Sequence, residues 1–307
     1  MDTKTTLSSH IPSFMHDWRN YKRGLKGLKF TDWIISSDYC LDDKNKPNDV
    51  ITFTIFPRVF PKELFLEIDR CVPADIKNVT HFSDVTLNYL KNSPYFFNIS
   101  ILLENRENFC KKAQLIKMFE KLISIYKQFS LDMQECHKED YRRIQKFAQY
   151  LKQGNCSKKL LSTLLLVTQH FSVIVEFLLI KEKHSQIFWC SDRDSIISFK
   201  DGIIFNFVRM CVPILIKGRI KDYSVKCVGY SNGEFLFEPF IRIPDIICGV
   251  LSSVKHIDDN FQYDKDKHKQ LFDQIVIDNP KLVILKSTFD KNGKETLTLK
   301  KVVKNNS

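Results

Sequence analysis

Apolar and polar positions divide the first hundred residues into short alternating segments. β-branched and aromatic residues predict strands at 31–40, 50–56 and 95–103. The polar turn at 41–49 joins the first two as a hairpin. Pro61–Cys71 is expected to be a helix, with proline in its first turn. The pattern therefore predicts several strands before the first long helical region.

Between residues 109 and 184 the pattern becomes helical. Apolar residues recur every three or four positions at 109–129, and 139–152 is a more polar helix. Lys158–Lys181 is apolar enough to raise the question of a membrane span. It contains Glu176, and a carboxylate near the centre of a bilayer is costly. We therefore interpret it as a buried helix and expect no membrane association.

Strands and helices alternate again after residue 186. The pattern predicts strands at 187–191 and 222–230, helices at 243–254 and 265–278, and a lysine-rich hairpin from residue 282. Ile203–Ile216 is apolar throughout and fits either a helix or a strand. This mixture indicates an α/β protein.

Composition limits the class of protein and its compartment. Of 307 residues, 43% are apolar and 27% are charged, which is typical of a globular chain. The nine cysteines include no CxxC spacing, and several lie in apolar runs. We therefore expect a reduced, cytoplasmic protein without a disulfide framework or a structural zinc site.

The net charge of +11 is concentrated at the two ends of the chain. Residues 1–30 hold six basic and two acidic residues, and residues 281–307 hold seven basic and two acidic ones. Such clusters suit a phosphate backbone, although solvated lysine-rich ends would have the same composition. The candidates for phosphate contact are Arg19, Lys22, Arg23 and Lys26. Trp18, Tyr21 and Phe30 are candidates for stacking on bases.

A few aspartates lie in apolar surroundings. Asp192 and Asp194 end an apolar strand, where residues two apart share a face and their carboxylates would repel without a cation or base between them. Asp38 ends the first strand. Asp245 precedes three apolar residues in the first turn of a predicted helix, where compensation of the helix dipole is the alternative role.

The order of these elements resembles the ribonuclease H-like fold. Residues 189–195, WCSDRDS, and 241–249, IRIPDIICG, resemble the bacterial domain-of-unknown-function 3800 family, and the resemblance covers about half of the chain. It implies a mixed five-stranded sheet with flanking helices and a helical insertion. An acidic residue on the first strand would lie beside one that ends the fourth, with a third on the last helix.

The resemblance also implies a metal site. Asp38, Asp192 and Asp245 would bind Mg²⁺ or Mn²⁺ with Asp194 in support, and Arg193 would contact phosphates. The family's first strand has an acidic pair followed by a small residue and glycine, whereas Tyr39 and Cys40 follow Asp38 here. For a fourth acidic ligand the candidates are Glu176 or Glu104, with His170 nearby in sequence, or none.

The leading hypothesis is a metal-dependent nuclease or related phosphodiester-processing enzyme acting on DNA or RNA. The alternatives are a non-catalytic nucleic-acid-binding or complex-assembly subunit of the same fold, for example in a bacterial defence or toxin system, and an α/β protein whose aspartates are only structural. The expected organisation is a basic arm at 1–30, a ribonuclease H-like domain at 31–257, and a C-terminal helix and hairpin at 258–307. The insertion at 109–184 offers a surface for a protein partner.

Overall fold

The computed structural model describes residues 6–154, 156–181, 185–192, 195–217, 219–220, 222–228, 237–257 and 260–303. In chain order the first elements are α1 (Thr6–Gly24), β1 (Trp33–Cys40), β2 (Asp49–Pro57), α2 (Pro61–Cys71), α3 (Asp84–Asn92), β3 (Phe97–Glu104), α4 (Lys112–Tyr126), α5 (Leu131–Cys136), α6 (Lys138–Lys152) and α7 (Lys158–Lys181). There follow β4 (Gln186–Ser191), α8 (Ser195–Ser198), α9 (Ile203–Ile216), β5 (Ser224–Cys227), α10 (Glu238–Ser253), β6 (Val254–Ile257), β7 (Asn260–Tyr263), α11 (Asp266–Leu271), β8 (Leu282–Phe289) and β9 (Glu295–Lys300).

Seven of the described strands form one mixed sheet in the order β5-β4-β1-β2-β3-β8-β9. β2 is antiparallel to β1 and β3, whereas β4 is parallel to β1 and β5. The predicted α/β class is confirmed, but the sheet has seven strands instead of five. The two additional strands are the C-terminal hairpin, because β8 pairs in parallel with β3 from Asn98 to Glu104. This pairing satisfies the backbone groups at an otherwise open edge.

Helices cover both faces of the sheet, as the alternation of side chains along β1 requires. Trp33 and Ile35 point into one apolar core, which α1, α4, α6, α7 and α9 cover. Ile34 points into the other core, which α2, α3, α10 and α11 cover. The protein therefore has three layers, and even-numbered positions of β1 face α10.

The long apolar helix α7 lies inside the first of these layers. It is the one described helix long and apolar enough to cross a membrane, and 78% of its most apolar stretch is buried. Phe171 stacks on Trp189 of the sheet with ring centroids 4.1 Å apart. Its apolar composition is thus explained by burial between the sheet and neighbouring helices.

The predicted basic arm contains a helix that packs on the sheet. Trp18 and Tyr21 are 3% and 5% exposed, and both rings contact Phe97. Their proposed stacking on bases is therefore wrong, since their rings are already part of the core. The spacing of three or four residues between Phe14, Trp18, Tyr21 and Leu25 gives α1 its apolar face.

The helix α10 begins five residues earlier than the sequence predicts. Its first residue is Glu238, with Pro239 in the first turn, so Pro244 lies inside the helix. An internal proline removes one backbone hydrogen bond, and the burial of most of the helix against β1 and β2 offsets that loss. Asp245 consequently lies two turns inside the helix and not at its start.

Candidate functional site

The pairing of β1 with β4 brings Asp38 and Asp192 together. The parallel register aligns Ser36 with Cys190 and Ser37 with Ser191, so Asp38 and Asp192 occupy the next positions of adjacent strands. Neighbouring strands lie about 4.8 Å apart. Both aspartates follow the side-chain direction of Ser36 and Cys190, towards the face that α10 covers.

The helix α10 contributes Asp245 from above that face. The favourable effect of a carboxylate on a helix dipole is confined to the first turn. Since Asp245 lies beyond that turn, dipole compensation does not explain it. Arg242 fixes the helix in place, because its guanidinium bonds Glu238, lies 2.8 Å from Asp69, and donates to the Val72 carbonyl oxygen.

These three aspartates line a single cleft of about 420 Å³, which we call the acidic cleft. They come from β1, the end of β4, and α10, so three separate elements converge there. Basic residues also line this cleft, and we call them the lysine wall: Lys46, Lys77, Lys265 and Lys267, with His268.

The surroundings of Asp38 and Asp245 oppose the ionisation of these two carboxyl groups. Burial raises the pKa of Asp38 to about 7, and the charges of Asp245 and Asp192 contribute to the rise. Hydrogen bonds from the Cys248 thiol and the Tyr39 backbone lower it by less. Burial and then Asp192 raise the pKa of Asp245 to about 6, against the lowering effect of nearby lysines. A cation would relieve both the burial cost and the repulsion.

A hydrogen-bonded cluster on the other face of the sheet holds the ends of β1 and β4 in register. The Trp189 indole donates to Ser37 Oγ at 2.9 Å, and Ser37 Oγ lies 2.6 Å from the Tyr39 hydroxyl. Ser191 Oγ donates to the same Tyr39 hydroxyl at 3.2 Å. Because Asp38 lies between Ser37 and Tyr39, this cluster fixes the backbone that carries it.

Two members of the lysine wall are held by the fold. Lys267 Nζ donates to the carbonyl oxygens of Ile76 and Lys77 at 2.7 and 3.2 Å. Lys46 donates to Ser253 and forms an ion pair with Asp264 at 3.1 Å. These contacts fix the loops around the cleft.

The other two lysines of the wall face solvent. Lys77 and Lys265 are exposed, and neither forms an ion pair with any carboxylate in the described part of the chain. Their ammonium groups are thus available to a ligand in the cleft.

None of the candidates for a fourth acidic ligand lines the acidic cleft. Glu176 and His170 lie on α7, which covers the opposite face of the sheet. Glu176 pairs with Arg219, and His170 Nε2 lies 3.2 Å from Glu295. Glu104 pairs with Lys286 at 2.6 Å, at the β3–β8 edge. The fold thus places all three candidates away from the cleft, and sequence distance could not reveal this because it does not show which face of the sheet a helix covers.

The remaining predicted residues divide into two groups. Arg193 and Asp194 lie outside the described residues. The basic candidates of the N-terminal segment line a different cavity, far from the acidic cleft: Arg19, Lys22, Arg23 and Lys26. Their predicted contact with phosphates is therefore separate from any chemistry at the aspartates.

The acidic cleft has the oxygen donors that Mg²⁺ and Mn²⁺ prefer. In the conformation of the structure, however, no three His, Cys, Asp or Glu side chains of the described chain are close enough together to hold one ion. Repulsion between carboxylates keeps such side chains apart until a cation neutralises them. The carboxylates of the cleft are therefore chemically suited to a hard divalent ion. Their side chains would have to move closer together to coordinate a single ion.

The lysine wall was not anticipated from the sequence. Its members come from the β1–β2 loop, the loop after α2, and the segment around α11, which lie up to about 220 positions apart. The local indication in the sequence was the group Lys265, Lys267 and His268 in the first turn of the predicted helix at 265–278.

No protein-family model, curated protein or solved structure matches this chain.

Proposed function

We propose that this protein is a metal-dependent phosphodiesterase that cleaves nucleic acid at the acidic cleft. The observation that carries the proposal is the convergence of Asp38, Asp192 and Asp245 from three elements in one cleft that the lysine wall also lines. Structural aspartates pair with cations or cap helices. Asp38 and Asp245 instead lie where burial and like charges raise the pKa of each.

The arrangement of strands supports a ribonuclease H-like assignment. Within the larger sheet, β5-β4-β1-β2-β3 is a mixed set of five adjacent strands. Asp38 lies on the first strand of the chain and Asp192 directly follows the fourth, while Asp245 lies on a helix after the fifth. This placement agrees with what the resemblance implies for that fold. The additional hairpin extends the β3 edge, away from the cleft.

In the proposed reaction the three carboxylates hold one or two divalent ions. When bound, such ions supply Lewis acidity and lower the pKa of a coordinated water. Asp38 and Asp192 would bind from the strand ends and Asp245 from the helix. Lys77 and Lys265 would bind the phosphates that flank the scissile bond, which places the backbone of the substrate across the cleft.

A non-catalytic nucleic-acid-binding subunit is the second candidate. It is favoured by the absence, within the described chain, of three side chains already close enough to hold an ion. In this case the lysine wall would bind phosphates and the aspartates would only shape the cleft. Binding would then be independent of divalent ions.

The first prediction is that the protein cleaves single- or double-stranded DNA or RNA in the presence of Mg²⁺ or Mn²⁺. EDTA should abolish cleavage and excess metal should restore it, because the carboxylates alone cannot activate water. Gel analysis of end-labelled substrates measures the effect. Cleavage that persists in EDTA would refute the metal-dependent mechanism, and binding without cleavage under all conditions would favour the second candidate.

The second prediction concerns the exposed lysines of the wall. The double substitution Lys77→Ala and Lys265→Ala should weaken nucleic-acid binding and reduce the slope of log K against log salt by roughly 1.5 to 2. Fluorescence anisotropy in EDTA at several salt concentrations measures this without cleavage. The matched control is Lys117→Ala with Lys121→Ala on α4, which removes the same charge elsewhere. Equal slopes for both double variants would exclude the wall as the phosphate-binding surface.

A further inference from the structure

A second cavity, of about 600 Å³, lies where α1 ends and the chain turns towards β1. We call it the N-terminal cavity. Five of the residues that line it are basic and none is acidic: Arg19, Lys22, Arg23, Lys26 and Lys181. Such a concentration of one sign of charge in a concave site attracts anions.

The fold does not use most of these cations for ion pairs. Within the described ranges, no carboxylate forms an ion pair with Arg19, Lys26 or Lys181. By contrast, Arg106 and Arg209 elsewhere in the molecule each contact a carboxylate within 3.0 Å. Arg19, Lys26 and Lys181 are therefore available to a ligand.

Helix dipoles explain only part of this charge. The carboxyl ends of α1 and α7 lie near the cavity, and Lys22, Arg23 and Lys181 occupy their last turns. Cations there are favourable. Arg19 lies one turn earlier and Lys26 lies beyond the helix, so the dipoles do not account for either of them.

The floor of the cavity is apolar and recessed. Met15, Leu28 and Phe30 are partly buried, and the indole of Trp18 lies beneath them at 3% exposure. Lys22 Nζ lies 4.7 Å from the centre of the Phe30 ring. A cationic rim above an apolar floor fits a ligand with an anionic group and a planar or apolar body. A bilayer would instead need protruding apolar side chains.

The N-terminal cavity is physically separate from the acidic cleft. It lies beside the start of β1, where Lys22 also contacts Trp33, whereas Asp38 is five residues further along the strand, about 16 Å away. The two sites also lie on opposite faces of the sheet, because α1 covers the first core and α10 the second. A ligand bound in the N-terminal cavity therefore does not block the acidic cleft.

We propose that the N-terminal cavity binds a nucleotide, with its phosphates on the basic rim and its base on the apolar floor beside Phe30. Its volume lies within the range of small-ligand sites. The nucleotide is either free or the 5′ end of a strand, since both present the same phosphates and base. This site does not depend on the function of the acidic cleft.

Calorimetric titration in EDTA tests the proposal with three probes: ATP, inorganic tripolyphosphate and a 5′-phosphorylated tetrathymidylate. We expect saturable binding of ATP, of the tetranucleotide, or of both, according to whether the nucleotide is free or at the end of a strand. Arg19→Ala with Lys26→Ala should weaken that binding at least about tenfold, because two charged contacts to phosphate are lost. Both side chains are exposed, so an unchanged melting temperature should show that the variant is folded.

Two comparisons make the result decisive. Lys117→Ala with Lys121→Ala removes equal charge from α4 and should leave binding unchanged. Tripolyphosphate should bind more weakly than whichever nucleotide probe binds, because it cannot contact Phe30. The proposal is overturned if neither nucleotide probe binds saturably. It is also overturned if tripolyphosphate binds as tightly as the nucleotide probe that binds, or if binding of that probe survives Arg19→Ala with Lys26→Ala.

Discussion

Replacement of Asp38 by asparagine is expected to reduce metal-dependent cleavage by roughly a hundredfold to a thousandfold, and to leave nucleic-acid binding in EDTA nearly unchanged. Asparagine keeps the size of the side chain but removes the negative charge that would hold a divalent ion between β1 and the end of β4. The phosphate contacts of the lysine wall remain in the variant. Single-turnover cleavage and anisotropy measured on the same preparation separate the two effects.

The matched control for Asp38→Asn is Asp132→Asn on α5. Asp132 is exposed and does not line the acidic cleft, so its substitution removes the same charge without touching the site. The control should cleave at the wild-type rate. If Asp38→Asn also cleaves at that rate, the acidic cleft is not the active site, whatever the metal dependence of the wild type.

Much of the acidic cleft was predictable because its residues break local patterns. Asp38 and Asp192 each lie at the end of an apolar, β-branched strand, and Asp245 lies between proline and three apolar residues. A carboxylate in such a place is costly unless something compensates it. The period of two in a strand then predicts the face on which each carboxylate lies.

The lysine wall and the pairing of β8 with β3 were not predictable from local patterns. The lysines occur in polar loops and at the start of α11, where they look like any solvated surface charge until the fold brings these segments together. A hairpin pattern at 282–300 predicts two paired strands but does not reveal which sheet edge they extend. Both are consequences of long-range contacts.

The start of α10 was misplaced for a specific reason. Proline is favoured in the first turn of a helix, so Pro244 suggested a start at residue 243. The structure has one proline in the first turn, Pro239, and a second inside the helix. The earlier start of α10 matters for function. It rules out compensation of the helix dipole as the role of Asp245, so the acidic cleft is the remaining explanation for this aspartate.

The acidic cleft should also make the stability of the protein depend on pH and metal. In EDTA, the free energy of unfolding is expected to fall as pH rises from about 4 to about 7. The pKa values of Asp38 and Asp245, about 7 and 6, exceed the usual value near 3.9 in an unfolded chain. The folded state therefore binds more protons across this window, and their loss favours unfolding.

Asp38→Asn removes the charge of Asp38 and, with it, the repulsion between Asp38 and Asp245. The variant should gain stability over the wild type between pH 4 and 7, by on the order of 2 kcal/mol, and the gain should stay constant above pH 7. The full shift of Asp38 would correspond to about 4 kcal/mol, but its carboxylate is partly exposed and water screens it. Chemical unfolding at several pH values measures the difference in the free energy of unfolding between the two proteins. If that difference is the same at every pH, the pKa of Asp38 is not raised in the folded protein.

Binding of a divalent metal ion should offset this loss of stability at pH 8. Mn²⁺ at one hundred times its dissociation constant would stabilise the wild type by about 2.7 kcal/mol, since the ion binds the folded state. Asp38→Asn should lose most of that gain, whereas Asp132→Asn should keep it. Stabilisation of equal size in all three proteins would place the ion elsewhere. The repulsion that costs stability in the free protein is therefore the same electrostatic energy that would select a divalent cation for the cleft.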